Sequence, residues 1–505
     1  MIQIIYNNWT LLLLTLLCQI PRIVTGKNIV MILVDDLDLI LDGMTPLIKT
    51  QNLIGKNGAT YENCFVASPV CCPNRAAILT GRYQHNHMTF NNTIQGGCSS
   101  KKWQTNMENN TFAVHLNNQG YNTFYAGKYL NQYGGRAVGG AAHKPAGWDW
   151  WAGLVGNSKY YDYSLSINGT EKKYGIHPNE YLTDVISKMA GDFINGPRNN
   201  LSPFLMVLSP PAPHAPFTPA SRHNDVYKKI KAKRTPNFNT QTQNDKHWLV
   251  KTGNAPLSQQ ALTIIDDVFR RRWETLLAVD DLVENVINLL KKANILDETF
   301  VIFTSDNGYH IGQFSMPMDK RQPYETDIRV PLMIRGPGIE PGSHVASPVS
   351  SVDLFSTILE MGGTEKPSDG ISMLRKNISI DRTLLIEYKG EHANNRQKSG
   401  CPINDADSNI TLCRADLDCK CQDVANNTYT CIRRFSKDNN NLFCLFEDSQ
   451  NFMEAYDFNA DEFQMKNIAY TMKAAKRRRF TKRLRNMKNC FNDNCIRNHA
   501  FTKWT

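Results

Sequence analysis

Three short stretches of this chain combine residue types that could do chemistry. The first spans residues 68–87, SPVCCPNRAAILTGRYQHNH, where Arg75 follows Cys71 by one helical turn. That spacing places a permanent positive charge beside the group at position 71 and favours its deprotonated, nucleophilic form. The competing reading is a buried or disulfide-bonded cysteine, the usual fate of cysteines in secreted chains. The other two stretches are Asp35-Asp36 and Asp306-Asn307-Gly308. Adjacent carboxylates repel unless a cation sits between them. Asp35, Asp36, Asp306 and Asn307 together form an all-oxygen donor set, which suits calcium rather than zinc. Singly, each acidic pair reads equally well as a solvated turn or a helix cap.

The elements that must position these groups are visible as apolar runs. Residues 28–34, NIVMILV, form a continuous β-branched stretch, the pattern of a parallel strand buried on both faces. Asp35-Asp36 follows at its carboxyl end, where open α/β sheets bind ligands. Residues 299–304 repeat the pattern before Ser305-Asp306-Asn307, with Gly308 allowing a tight turn. A third run, 204–208, leads into Pro210-Pro211-Ala212-Pro213-His214-Ala215-Pro216, a proline-stiffened loop well placed to aim His214 at a site. A lone histidine is more often structural. Residues 329–335 predict a further strand, closed by Gly336-Pro337-Gly338. Residues 260–293 predict a long helix with Leu276, Val279, Val283, Val286, Ile287 and Leu290 in phase, packed on the sheet and free of chemistry. Beyond about residue 371 the chain turns polar and cysteine-dense, with strands predicted at 383–388 and 452–457.

Cys71-x-Pro73-x-Arg75 with Leu79-Thr80-Gly81-Arg82 behind it resembles the signature of the type I sulfatases. The resemblance implies an α/β, alkaline-phosphatase-like fold, with a large mixed sheet between helices and a smaller antiparallel sheet in a C-terminal subdomain. It implies that a formylglycine-generating enzyme oxidises Cys71 to formylglycine, whose hydrated aldehyde is the nucleophile. A geminal diol suits sulfate esters because its second hydroxyl can expel the sulfate by re-forming the aldehyde. A plain serine would be left with a stable sulfate ester. One Ca2+ is implied at Asp35, Asp36, Asp306 and Asn307, touching residue 71. Gly127-Lys128-Tyr129-Leu130-Asn131 resembles the family's lysine–histidine element, so Lys128 is expected on the sulfate, while Leu130 departs from the histidine. His214 is expected at the sulfate and leaving oxygen, Lys320 as a second sulfate ligand, and His310 near the metal ligands and substrate. Asn74 departs from the small residue usual between the proline and the arginine.

The segments HNHMTFNNT, GGCSSKKWQ, GKYLNQYGG, NSKYYDYSLSINGT, DKHWL, RRRWETLLAVDDLVE and TSDNGYHIGQF narrow the resemblance to one branch. That branch removes the 6-sulfate of terminal N-acetylglucosamine 6-sulfate from heparan sulfate and keratan sulfate in lysosomes. The likeness runs from about Lys27 to Cys495. The extracellular heparan 6-O-endosulfatases share CCP-x-R, HNH and GKYLN but carry a long basic insertion absent here. Two other readings stand beside it. A phosphoesterase on the same architecture would use Thr or Ser and usually zinc. A non-catalytic glycosaminoglycan-binding protein would result if Cys71 were not converted.

The sequence also suggests an address. Residues 1–26 read as a secretory signal, with an apolar run at 11–17 too short to span a membrane and Val24-Thr25-Gly26 before the first strand. No later stretch is apolar enough for a span. Of 13 cysteines, Cys401, Cys413, Cys419, Cys421, Cys431 and Cys444 read as a disulfide framework and Cys490 with Cys495 as a local pair. Cys64 and Cys98 are expected to bridge across the active loop, leaving Cys72 free. Cys419-x-Cys421 has no histidine at ligand spacing, which favours disulfides over zinc. Sequons at Asn91, Asn109, Asn168, Asn200, Asn377, Asn409 and Asn426 fit a lumenal glycoprotein. The expected division is a signal at 1–26, a catalytic domain at 27–370 and a cysteine-rich subdomain with a basic tail at 371–505. The formal charge of +10 hints at an anionic partner. The tail from Lys473 to Lys488 reads either as a solvated helical face or as an electrostatic guide for a polyanionic glycosaminoglycan. A lumenal address and the lack of a nucleic-acid motif argue against nucleic acid, and the oligomeric state is not legible.

Overall fold

The computed structural model describes residues 26–196, 202–241, 245–251, 255–375, 378–391, 415–418 and 423–499. Its frame is a ten-stranded mixed sheet. In spatial order the strands are Ser343–Val345, Ala59–Tyr61, Leu332–Arg335, Thr299–Ser305, Asn28–Val34, Phe204–Ser209, Asn122–Gly127, Trp150–Leu154, Tyr163–Ile167 and Thr170–Tyr174. From Thr299–Ser305 to Trp150–Leu154 neighbouring strands run parallel. These strands are apolar on both faces because both faces are covered. Val30, Ile32 and Val34 pack with Leu182 and Ile186 of the helix Leu182–Asn195 and with Leu276, Val279 and Val283 of the helix Gln259–Lys292. Ile29, Met31 and Leu33 turn the other way, towards the helices Cys71–Thr80, Phe112–Asn117 and Asp353–Met361.

Parallel register does the positioning. Val34 lies beside Ser305, so Asp35-Asp36 and Asp306-Asn307 leave the sheet at the same level on adjacent strands. Gly127 lies beside Ser209, which brings Lys128 to that edge next to the loop carrying His214. Gly127 sits at φ 108°, and a Cβ there would meet the Ser209 carbonyl oxygen at 2.0 Å, so only glycine lets the chain turn here.

A second, antiparallel sheet follows, with strands Arg382–Tyr388, Tyr429–Ser436, Asn439–Phe446 and Met453–Asp457 in that order. The middle two form a hairpin not read from the sequence, with Cys431 directly opposite Cys444 and bonded to it. The strand predicted at 329–335 begins only at Leu332. Pro331 has no N–H for the ladder, and the residues before it form the helical turn Glu325–Ile328.

Cys490 pairs with Cys495 as expected, but the expected Cys64–Cys98 bridge is overturned. Cys98 pairs with Cys72, their Cα atoms 6.0 Å apart, and Cys64 is a free, buried thiol. Consecutive helical residues point about 100° apart, so Cys72 faces away from Cys71 and towards Cys98. Asn91 is buried, and its Oδ1 accepts from the N–H and Oγ of Thr93, so that sequon serves a turn. Cys401, Cys413, Cys419, Cys421, the sequons at Asn200, Asn377 and Asn409, and residues 1–25 of the expected signal lie outside the described residues. No helix among the described residues is long and apolar enough to cross a membrane.

Candidate active site

Val70 is extended, and the helix Cys71–Thr80 starts at Cys71 with Pro73 in its first turn, where a missing N–H costs nothing. All ten residues of this helix are buried. It stops at Gly81, φ 64°, where a Cβ would press into the Phe355 ring at 2.7 Å. Cys71 therefore sits at the positive end of a helix. The start is pinned from the side: Cys72 N–H donates to Asn92 Oδ1 at 2.9 Å, and Asn92 N–H to Glu391 Oε1 at 2.7 Å. Asn74 completes the clamp. Its Oδ1 accepts from Ala67 N–H (3.0 Å) and Ser351 Oγ (2.6 Å), and its amide donates to the Asp306 carbonyl.

The Cys71 Sγ lies 3.6 Å from Asp35 Oδ1 and 3.8 Å from Asp36 Oδ1. Burial pushes its thiol up, against the pull of the Lys128 and Lys320 charges. Lys128 Nζ donates to both Asp35 oxygens, at 2.9 and 2.7 Å, and Ser158 Oγ donates to Asp35 Oδ2. Lys320 Nζ donates to Asp36 Oδ2 at 2.6 Å and Asn307 Nδ2 to Asp36 Oδ1 at 2.7 Å. Burial alone would raise Asp35, but the surrounding Lys128, His214, Arg75 and Lys320 hold it well below the usual carboxylate range. Asp36 itself sits at φ 68°, a strained turn that swings its carboxylate back towards the site.

Arg75 keeps its Nη2 beside the site, 3.9 Å from Asp35 Oδ1, and spends its other nitrogens on the surrounding wall. Its Nε donates to Asp306 Oδ2 at 2.7 Å, and its Nη1 to the Lys128 carbonyl and Ser209 Oγ at 2.7 and 2.8 Å. It binds the wall of the site together, while the lysines are the cations that act most on position 71. Burial, with repulsion from Asp35 and Asp36, pushes Asp306 up to about 6 in spite of Arg75.

These residues fit a hard cation. Oxygens of Asp35 and Asp36, the Cys71 sulfur and a ring nitrogen of His214 lie within 4.8 Å of one another. Asn307 Oδ1, fully buried beside them, accepts no hydrogen bond, the arrangement of an acceptor waiting for a metal. Among the described residues, the grouping adds His214 to the expected donors and leaves out Asp306, whose carboxylate accepts from Arg75 Nε and Asp36 N–H, while Asn307 reaches Asp36 through its amide.

His214 Nδ1 is hydrogen-bonded to the Ala215 carbonyl at 2.7 Å, which makes Nδ1 the protonated nitrogen and turns Nε2 to the site, 3.8 Å from Asp36 Oδ2. Burial lowers this imidazole to about 4. His310 is buried, its Nδ1 held 3.0 Å from both Asp327 oxygens. Leu130 is buried in the core, so the departure from histidine leaves no titratable group there.

Several groups at the site escaped the sequence reading. Ser158 stands in a loop within the segment NSKYYDYSLSINGT, which marked the resemblance but suggested no role for it. Arg321, next to Lys320, pairs with Asp319 and reaches Glu391 at 2.8 Å, and Tyr429 of the second sheet donates to its carbonyl at 2.9 Å. The long helix, expected to carry no chemistry, adds a positioning contact through Arg272. Arg272 donates to the Asp36 carbonyl (2.8 Å) and Asp38 Oδ1 (2.7 Å) and lies 4.0 Å over the Tyr309 ring. A signal existed: Arg272 is in phase with the apolar stripe at Leu276, Val279 and Val283. Burial raises Asp38 and Arg272 opposes it. Arg272→Ala is expected to cost about 3 kcal/mol or more by leaving Asp38 buried without its partner, read as a lowered melting temperature.

The Sulfatase family model matches residues 27–364 of the chain. The chain belongs to the sulfatase family. It is 43% identical over 478 residues to the Homo sapiens N-acetylglucosamine-6-sulfatase, a match spanning 93% of this chain and 85% of that protein. It is 38% identical over 376 residues to the extracellular sulfatase SULF-1 homolog of Drosophila melanogaster, covering 72% of this chain but 33% of that one. A solved protein in complex with its substrate D-glucosamine-2-N,6-O-disulfate superposes with a TM-score of 0.72 at 20% identity, over 94% of this chain and 99% of that one. That likeness establishes the fold: helices around a large mixed sheet, with a smaller antiparallel sheet beyond it.

Proposed function

We propose that this sulfatase hydrolyses the 6-sulfate ester of N-acetylglucosamine 6-sulfate units in heparan sulfate and keratan sulfate, in the lysosomal breakdown of glycosaminoglycans. The observation that carries the reading is Cys71 at a buried helix start, ringed by Asp35, Asp36, Lys128 and Lys320. It does so in a chain 43% identical to proteins of that name along nearly its whole length. Residues 1–26 serve as the signal, 27–370 as the catalytic part and 371–505 as a cysteine-rich subdomain.

In this reading Cys71 is converted to formylglycine, whose hydrate supplies one hydroxyl to attack sulfur and a second to expel the sulfate. Ca2+, held by Asp35, Asp36, Asp306, Asn307 and the residue at 71, draws charge from the sulfate oxygens when bound. The charges around the site support this. Asp35, Asp36 and Asp306 are balanced by Lys128, Lys320 and Arg75, so a divalent cation leaves an excess of positive charge that an anionic ester and an ionised nucleophile would offset. Lys128 and Lys320 hold the sulfate, and Arg75 keeps Asp306 and the Lys128 backbone in place. His214 presents Nε2 to the leaving oxygen and handles its proton. His310, oriented by Asp327, contacts the substrate.

The deciding experiment is mass spectrometry of the peptide containing Cys71, from protein made in its own secretory pathway, followed by a panel of sulfated sugars. Formylglycine at 71 and sulfate release from N-acetylglucosamine 6-sulfate are expected. An unmodified cysteine, or release from other sulfates only, would overturn the proposal.

A further inference from the structure

Glu391 stands three residues beyond the strand Arg382–Tyr388 of the second sheet, and its side chain is fully buried. Carboxylates are rarely buried to that degree unless several groups hold them. Here each oxygen serves a different wall of the site. Oε1 accepts from Asn92 N–H at 2.7 Å, and Asn92 Oδ1 accepts in turn from Cys72 N–H at 2.9 Å, one residue after the group at 71. Oε2 accepts from Arg321 Nη2 at 2.8 Å, one residue after Lys320, whose Nζ donates to Asp36 Oδ2 at 2.6 Å. One carboxylate therefore joins the start of the helix Cys71–Thr80 to the loop that presents Lys320.

That loop needs a hold. Arg321 sits at φ 87°, in the left-handed region that a residue with a Cβ adopts only when its surroundings impose it. The active loop imposes it from one side, where Arg321 N–H donates to the Pro69 carbonyl at 3.0 Å. The second sheet imposes it from the other, where the Arg321 carbonyl accepts from Tyr429 Oη at 2.9 Å and Asn427 Nδ2 at 3.4 Å. With the backbone turned in this way, Lys320 reaches Asp36 while the adjacent guanidinium reaches Asp319 and Glu391. Glu391 is itself fixed. Its N–H donates to Asp423 Oδ2 at 2.7 Å, an oxygen that also accepts from Tyr388 Oη at 2.6 Å. A buried ion pair adds little net stability over a packed apolar pair of the same volume. What this one supplies is direction, because charged N–H···O bonds are short and specific in geometry.

We propose that Glu391 is a positioning residue for sulfate-ester hydrolysis, which holds the nucleophile at 71 and the sulfate-binding Lys320 at a fixed separation. The inference rests on the roles given above to Cys71 and Lys320; the bridge between their neighbours does not. It makes the second sheet part of the catalytic apparatus. A misplacement of about 1 Å at reacting groups can cost roughly 100-fold in rate, so a residue that touches neither the nucleophile nor the sulfate can still set how fast they react.

The test uses the mature, calcium-loaded protein and two readouts: hydrolysis of N-acetylglucosamine 6-sulfate, and affinity for inorganic sulfate by calorimetric titration. Glu391→Gln keeps the volume and one acceptor but removes the charge facing Arg321. It is expected to lower kcat/KM by about tenfold or more and to weaken sulfate binding by about tenfold. Asn92→Ala cuts only the branch to Cys72. It is expected to lower kcat while sulfate affinity stays within about twofold of the wild type. Glu391→Asp keeps the charge but is one methylene too short to reach both donors. It is expected to melt near the wild type and still lose about tenfold in kcat/KM, which separates misplacement from a lost fold. A merely structural residue would scale kcat with the folded fraction and leave the sulfate affinity of the folded protein unchanged. That result for Glu391→Gln, or wild-type kcat/KM in Glu391→Asp, would overturn the proposal. A wild type that binds inorganic sulfate but releases none from N-acetylglucosamine 6-sulfate would sink the substrate reading alone, and the titrations would still decide the role of Glu391.

Discussion

Cys71→Ala is expected to abolish sulfate release, by at least about 10⁴-fold in kcat, while the protein folds and melts close to the wild type. The loss follows from removing the only atom from which the nucleophile can be made. The retained fold follows from what the Sγ touches, which is two carboxylate oxygens at 3.6 and 3.8 Å rather than a packed partner. Truncating it should cost about 1 kcal/mol of stability. Cys71→Ser sharpens the test. Its hydroxyl can displace the sugar oxygen from sulfur but has no second hydroxyl to expel the sulfate. At most one sulfate per chain should then be transferred, leaving a serine heavier by one sulfo group in the mass spectrum. Sustained turnover by either variant, assayed on N-acetylglucosamine 6-sulfate, would remove position 71 from the chemistry.

What the sequence made legible was residue type and strand pattern. Continuous apolar runs at 28–34 and 299–304 announce strands covered on both sides, and acids at their ends announce a site. The register that sets Val34 beside Ser305, and so joins Asp35-Asp36 to Asp306-Asn307, depends on pairing across the sheet and leaves no trace in either run. The hairpin Tyr429–Phe446 was missed because Arg433 and Arg434 make its first strand look solvated. In the fold Arg433 is buried, donating to Glu325 Oε1 at 2.9 Å and lying 3.9 Å over the Phe458 ring. The Cys64–Cys98 expectation failed for a similar reason. Distance along the chain says nothing of which side a helical cysteine faces, and Cys72 faces Cys98 because Cys71 faces the acids.

Asp306→Asn is expected to weaken calcium binding by at least about 100-fold and to take activity down with it. The substitution keeps the volume and the acceptor for Asp36 N–H, 3.1 Å from Asp306 Oδ1, but removes one of three carboxylate charges. It also leaves Arg75, buried, without its closest counter-charge at 2.7 Å, so a lower melting temperature should accompany it. Stability and metal are separated by a chelation cycle. Wild-type protein stripped with EDTA should recover activity on adding calcium and not on adding zinc, since the side chains proposed to hold the ion, Asp35, Asp36, Asp306 and Asn307, offer hard oxygens and outnumber the neighbouring His214 nitrogen. The variant, at a temperature where it remains folded, should recover none at the calcium concentration that restores the wild type. Stoichiometric calcium measured on folded Asp306→Asn would show that Asp35, Asp36 and Asn307 suffice. The unpartnered Asn307 oxygen makes that outcome informative, because a ligand set that survives without Asp306 would have to rely on it.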